Sequence, residues 1–262
     1  MEDINVFNKN FKIEKIYPPT GQKKVYKVFN EGQSYILKIV TFNEIQELER
    51  TYREAEFLKN NNQDSHFPKI LNMELYFFEK QFCILEEYIE GISLEEKKSE
   101  YKNKEKKVIE LLEELVIGMS QLWSKNIVHR DLKPSNIIIR PNETPVILDL
   151  GIAKFLEYSP ITRTEQMPYS NYYFSPEQFK NLNHLITERT DFFVLGIVAY
   201  ELYTGKHPFD KDSTKLLKGE YPETDNERFN ALMKKLLKVQ PYERFRTDSD
   251  FKNYLKDYLN KL

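Results

Sequence analysis

Apolar positions along this chain alternate as in strands over the first third and take a helical period in most of the remainder. Residues 11–16 and 25–29 carry short strand patterns, Asn30-Glu31-Gly32-Gln33 supplies a turn, and residues 34–40 return as a third strand. Over residues 44–60 the spacing changes. Ile45, Leu48, Tyr52, Ala55 and Leu58 recur every three or four positions, which predicts an amphipathic helix. Residues 70–78 and 82–89 again read as strands, so the first ~90 residues predict a small sheet carrying one helix. Beyond Gly91 the pattern is helical: residues 108–125, with Trp123 near the end, then 175–180, 190–203, 226–237 and 248–262. Between the two regions, residues 95–107 form a mixed charge run that reads as a solvated helix or linker. No internal repeat is present.

Composition narrows the function classes. The 262 residues suit one large domain or two small lobes, with material for a core. Lys and Arg total 39 against 41 Asp and Glu, a formal net charge of -2, which argues against a nucleic-acid or membrane-surface binder driven by electrostatics. Cys83 is the single cysteine, so neither a disulfide framework nor a multi-cysteine metal site is expected, and a reducing, cytoplasmic setting fits. Residues 1–10 lack the apolar core of a secretory leader. The longest apolar run, residues 192–200, is far short of the ~20 residues that span a bilayer, and it reads as a buried helix with no membrane anchor.

The chemistry concentrates in two segments. His129-Arg130-Asp131-Leu132-Lys133-Pro134-Ser135-Asn136 brings an acid, a lysine and an asparagine together, and Leu148-Asp149-Leu150-Gly151 lies shortly after it. Phosphoryl transfer from ATP needs a carboxylate to orient the attacking hydroxyl, positive charge on the moving phosphate, and ligands for Mg²⁺. These segments hold the residue types for all three. Together with Tyr35-Ile36-Leu37-Lys38 and Tyr173-Phe174-Ser175-Pro176-Glu177, in that order along the chain, they resemble the eukaryotic-type (Hanks-type) Ser/Thr protein kinases in a compact stand-alone form. The resemblance runs from about residue 11 to about residue 258. A composition rich in Lys, Asn and Ile, with only 8 Gly, also resembles proteins of AT-rich bacterial genomes.

The resemblance implies an α+β, bilobal fold: residues 1–88 as an N-lobe with a small antiparallel sheet and one helix, residues 89–262 as a mainly helical C-lobe, one kinase domain in all. It implies ATP and Mg²⁺ (or Mn²⁺) as cofactors. Lys38 would grip the α- and β-phosphates, held by Glu54 from the helix. Asp131 would orient the substrate hydroxyl, Lys133 would neutralise the γ-phosphate, and Asn136 and Asp149 would ligate the metal. Gly21, Val25, Ile36 and Ile138, with backbone groups of Glu87 and Ile89, are assigned to the nucleotide. Lys133 marks the Ser/Thr-directed pattern. Glu177 would pair with Arg244, Asp191 would hold the backbone of the catalytic loop, and Ser170 would touch Asp131 and Lys133. Arg130 would receive a phosphate on Thr162 or Thr164 of the activation loop. Leu58, Met73, His129 and Leu150 map onto the stacked apolar set of active kinases. The implied partners are protein substrates, and trans-autophosphorylation would bring two copies together.

Three departures accompany the match. Pro18, Thr20 and Lys23 stand where the phosphate loop normally has glycines, leaving Gly21 alone; Ile36 replaces the usual Ala over adenine; and Glu86 falls at or beside the apolar gatekeeper position. They keep open a pseudokinase or ATP-binding scaffold as an alternative. A small-molecule kinase of related fold is the third reading, although such enzymes generally lack the Lys-Pro pair, the Pro-Glu segment and the Arg244 partner.

Overall fold

A computed structural model describes residues 2–19, 22–60, 65–149, 154–155 and 172–262, without the side chains of Arg50, Glu54, Lys154 and Phe155. The chain divides into two compact units, residues 1–91 and 92–262. The first contains strands β1 (Asp3–Val6), β2 (Lys9–Ile16), β3 (Lys23–Asn30) and β4 (Gln33–Thr41), helix α1 (Ile45–Asn60), and strands β5 (Ile70–Tyr76) and β6 (Gln81–Glu87). The sheet is antiparallel in the order β1-β2-β3-β4-β6-β5. Direct pairs Val25↔Lys38↔Ile84 and Tyr26↔Leu37↔Leu85 show the alternation at work. On one face Phe11, Val28, Leu37, Ile39, Cys83 and Leu85 are buried together with Val6 and Phe7 from the first hairpin. Lys38 stands on the other face with Val25 and Ile36.

Strand β1 is absent from the sequence expectation, because its Asp3 and Asn5 dilute an already short apolar signal. It is held by register with β2 and by Phe7, whose amide donates to the Tyr76 hydroxyl at 2.7 Å. Strand β5 ends at Tyr76 rather than 78, where Phe77 to Lys80 turn, Lys80 adopting φ 50 and its amide donating to the Phe77 carbonyl at 3.1 Å. Phe78, a strand former by type, is 95% exposed on this turn.

The second unit contains β7 (Ile92–Ser93), α2 (Leu94–Lys97), α3 (Glu105–Trp123), β8 (Ile127–Val128), β9 (Ile137–Ile139), β10 (Pro145–Ile147), β11 (Lys154–Phe155), α4 (Pro176–Phe179), α5 (Glu188–Thr204), α6 (Ser213–Lys218), α7 (Glu227–Leu236) and α8 (Asp248–Leu259). Helix α5 is apolar all round and is the centre of the unit, with Phe192, Phe193, Val194, Leu195 and Ile197 without exposed surface. It begins at an N-cap Thr187 and stops at Gly205, whose φ of 76 forms the left-handed cap.

The charge run of residues 95–107 is not a simple solvated stretch. Ser93 and Glu96 close a capping box on α2, and Tyr101 within the run is buried. Lys98 reaches Glu95 at 2.8 Å and, far away in sequence, Glu201 on α5 at 2.9 Å. Composition described the acids and bases of this run, but the distant acid that anchors it lies outside the window.

Gly196 lets α5 meet α7 closely. A Cβ there would lie 2.8 Å from the Leu236 Cβ and 2.9 Å from the Leu237 Cδ2. Gly196→Ala should gain helix propensity of at most ~1 kcal/mol yet lose about 1–3 kcal/mol to overpacking. The expected result is a lower midpoint in thermal denaturation; a higher one would contradict this close approach.

Candidate active site

The loop between β8 and β9 carries most of the chemistry of the second unit, and its shape is set from beneath. The Asp191 carboxylate on α5, fully buried, accepts from the His129 amide at 2.9 Å, the Arg130 amide at 3.0 Å and the Trp123 indole at 2.9 Å. Burial pushes the Asp191 carboxyl up, while these three donors oppose the shift. Three donors on one carboxylate fix the backbone, including Arg130 at a left-handed φ of 68. Gln178, at the end of the Ser175 capping box, donates to the Arg130 carbonyl at 2.9 Å and holds it from the other side.

His129 has no exposed surface. Its Nε2 lies 3.3 Å from the Leu148 carbonyl and its Nδ1 accepts from the Asp131 amide at 3.3 Å, contacts that suit the tautomer protonated on Nε2. This residue therefore ties the loop to the segment before Asp149 and has no free nitrogen for acid–base work.

Asp131 is the centre of the loop. Lys133 Nζ lies 3.1 and 3.3 Å from its two carboxylate oxygens, and Asn136 Nδ2 donates to its Oδ2 at 3.1 Å and its backbone carbonyl at 2.9 Å. The Asp131 and Lys133 side chains are only 20% and 17% exposed, so their attraction is weakly screened yet open to a substrate. Pro134 starts a 3₁₀ turn over Pro134–Asn136 that carries Asn136 back over Asp131. With its amide nitrogen committed to Asp131, Asn136 offers its Oδ1 to a cation. Its backbone carbonyl accepts from the Leu148 amide at 2.8 Å, which sets Asn136 beside the strand leading to Asp149. Asp149 itself has a φ of 60, in the left-handed region that side-chain-bearing residues seldom adopt. Asn136 and Asp149 are hard oxygen donors of the type and number that suit Mg²⁺.

Arg130 is buried, and among the described residues its Nε has no hydrogen-bond partner. Burial lowers its guanidinium to about 10, against the pull of Asp191. Thr162, Thr164 and Ser170, the expected partners in the loop after Asp149, lie outside the described residues, as do Gly21 and Leu150.

Beyond that loop, Arg244 and Glu177 form a buried bidentate pair at 2.7 and 2.9 Å. The Tyr173 hydroxyl bonds Glu201, which also receives Lys98, and His207 Nε2 lies 3.2 Å from the Tyr172 carbonyl. Gln178, Trp123, Glu201 and Lys98 had no assigned task from the sequence. Of these only Gln178 carries a local signal, the Ser-x-x-Gln capping box.

In the first unit, Val25 and Ile36 are half-buried on the face of the sheet that carries Lys38, and Ile89 is buried just past β6. The Glu87 amide donates to the Lys69 carbonyl at 3.0 Å, and its side chain accepts from the Lys69 amide at 3.2 Å. Lys38 is buried, and its Nζ meets Glu86 Oε1 at 2.7 Å. The expected partner Glu54 sits on α1 with its side chain outside the described residues; among the described residues Glu86 is an acid in contact with Lys38. In the second unit Ile138 is half-buried on β9.

Known proteins are similar to this chain in sequence. The chain is 37% identical over 139 residues to the probable serine/threonine-protein kinase PknB of Lactococcus lactis, covering 52% of this chain and 22% of that protein. It is 32% identical over 189 residues to the serine/threonine-protein kinase PrkC of Bacillus subtilis, covering 67% and 28%. The serine/threonine-protein kinase PknA of Mycobacterium tuberculosis is 36% identical over 104 residues, covering 40% and 24%. The matches thus span about a quarter of the length of these relatives. Among the described residues no helix is long and apolar enough to cross a membrane. Residues 21–256, nearly the whole chain, match the protein kinase domain, and the chain belongs to that family.

Proposed function

We propose that this chain transfers the γ-phosphoryl group of ATP to Ser and Thr hydroxyls of protein substrates. The observation that carries the reading is the Asp131 carboxylate, gripped by Lys133 and Asn136 on a loop whose backbone is fixed by Asp191. Held this way, Asp131 accepts a hydrogen bond from the incoming hydroxyl and takes its proton as the bond to phosphorus forms. Lys133 swings its ammonium between that carboxylate and the transferring phosphoryl group, where it offsets developing charge. Asn136 and Asp149 would hold Mg²⁺, or Mn²⁺ in its place, which when bound would supply positive charge to the phosphate oxygens. Lys38 binds the α- and β-phosphates, and Val25, Ile36 and Ile138 pack on the base, with the backbone of Glu87 and Ile89 at its edge. Gly21 is assigned to the phosphates by the family resemblance alone.

Arg130 is proposed to receive a phosphate on Thr162 or Thr164. A buried guanidinium whose Nε finds no partner among the described residues supports this reading. Transfer between two copies would place that phosphate, and a reducing cytoplasm supplies ATP while keeping Cys83 a thiol. Incubation with labelled ATP, Mg²⁺ and a generic protein should give phosphoserine and phosphothreonine, with part of the label in the peptide bearing Thr162 and Thr164. That peptide should lose its label in the Thr162→Ala, Thr164→Ala double variant; an unchanged phosphopeptide map would remove the docking idea. ATP binding without transfer would leave a scaffold, and label confined to an added small molecule would change the substrate class.

A further inference from the structure

Lys38 and Glu86 meet across neighbouring strands. Pairing of β4 with β6 sets Lys38 opposite Ile84 and Ile36 opposite Glu86, so Glu86 stands diagonal to Lys38 on one face of the sheet. The contact is 2.7 Å, with the lysine 7% and the glutamate 3% exposed. A carboxylate in so buried a position is costly unless paired, and an apolar side chain would fill the site without that cost. The ladder on either side fixes both Cα positions and the face each side chain takes, so the pair forms inside the sheet.

We propose that Glu86 is a positioning residue for nucleotide binding: its carboxylate pairs with the Lys38 ammonium and aims it along the face shared with Val25 and Ile36. The proposal rests on the protein kinase reading of the site. It moves part of a task expected of Glu54, on a helix, to a residue of the sheet itself. Lys38 then has a partner within its own sheet, and the gatekeeper departure becomes a functional substitution rather than a loss.

The test is a double-mutant cycle on ATP affinity, measured by titration calorimetry with Mg²⁺, alongside kcat and KM for ATP and a thermal melt. Glu86→Gln removes the charge and should weaken ATP binding about tenfold or more, the scale of a lost charge-assisted hydrogen bond, with KM rising more than kcat falls. In a Lys38→Met background the same change should alter affinity by less than about twofold, because the acid acts through the lysine. A folded Glu86→Gln protein with wild-type affinity, KM and kcat overturns the proposal. So does an equal loss with and without Lys38, which would mean that Glu86 meets the nucleotide itself. Should Glu86→Gln fail to fold, Glu86→Met fills the position without a charge and must show the same loss; wild-type affinity there overturns the proposal equally. Calorimetry reads binding without transfer. A wild-type chain that binds ATP but labels no protein therefore removes the kinase reading alone.

Discussion

Arg244→Ala is expected to destabilise the second unit by roughly 3–5 kcal/mol, the scale seen when one partner of a buried ion pair is removed. Every donor of this guanidinium is used. Two N–H groups bond the Glu177 carboxylate at 2.7 and 2.9 Å, and the others reach the carbonyls of Lys238 at 2.8 Å, Arg189 at 2.7 Å and Val239 at 3.2 Å. The plane also covers the Phe193 ring, 4.7 Å from its centroid. Side-chain exposure of the pair is 0% and 1%, so no water can take over when the arginine goes. Glu177 would be left as a buried carboxylate against the Thr190 hydroxyl, which donates to it at 2.9 Å. At about 2–4 °C per kcal/mol for a unit of this size, the melting midpoint should fall by roughly 6–20 °C. Arg244→Lys should recover only part of this, since an ammonium has three donors and cannot make the fork. A melt within a degree or two of wild type would show that the pair is dispensable.

The second large effect is catalytic. Asp131→Asn should lower the rate of phosphoryl transfer by about 10²–10⁴, the usual range for a removed general base. The amide keeps the shape of the side chain but cannot take the proton of the attacking hydroxyl. It also leaves Lys133, 3.1 Å from the present carboxylate, without its counter-charge. Affinity for ATP should stay within about threefold of wild type, because Asp131 serves the hydroxyl rather than the nucleotide. Comparison of kcat with ATP affinity separates the two. A rate within tenfold of wild type would remove Asp131 from the role proposed for it.

The parts of the site that were legible in the sequence are those whose members lie close together along the chain. Asp131, Lys133 and Asn136 occupy one loop, and a proline that starts a 3₁₀ turn is enough to fold the asparagine back over the acid. The strand alternation that separates Val25 and Lys38 from Val28 and Leu37 was equally readable, since a pleated strand leaves side chains only two faces. Helix α1 announced itself by its period. Strand β1, the extent of β5 and the fold of the charge run were less visible, because short or mixed segments take their shape from neighbours. Lys98 illustrates this: its partner Glu201 is 103 positions away.

The contact of Lys38 with Glu86 shows the same limit more sharply. Spacing along the chain points to Glu54 on the helix and carries no sign that Glu86 lies near the lysine. That Glu86 reaches the ammonium depends on the register of β4 against β6, two strands separated in sequence by α1 and β5. Likewise, Asp191 could be named from its motif, but only the packed core removes its water and directs three donors at it. Local sequence thus determined the residue types, the strand faces and the loop that carries the chemistry, because backbone geometry acts over a few residues. Tertiary structure alone decided which charges are buried and with whom, because desolvation and ion pairing are properties of places that distant segments build together.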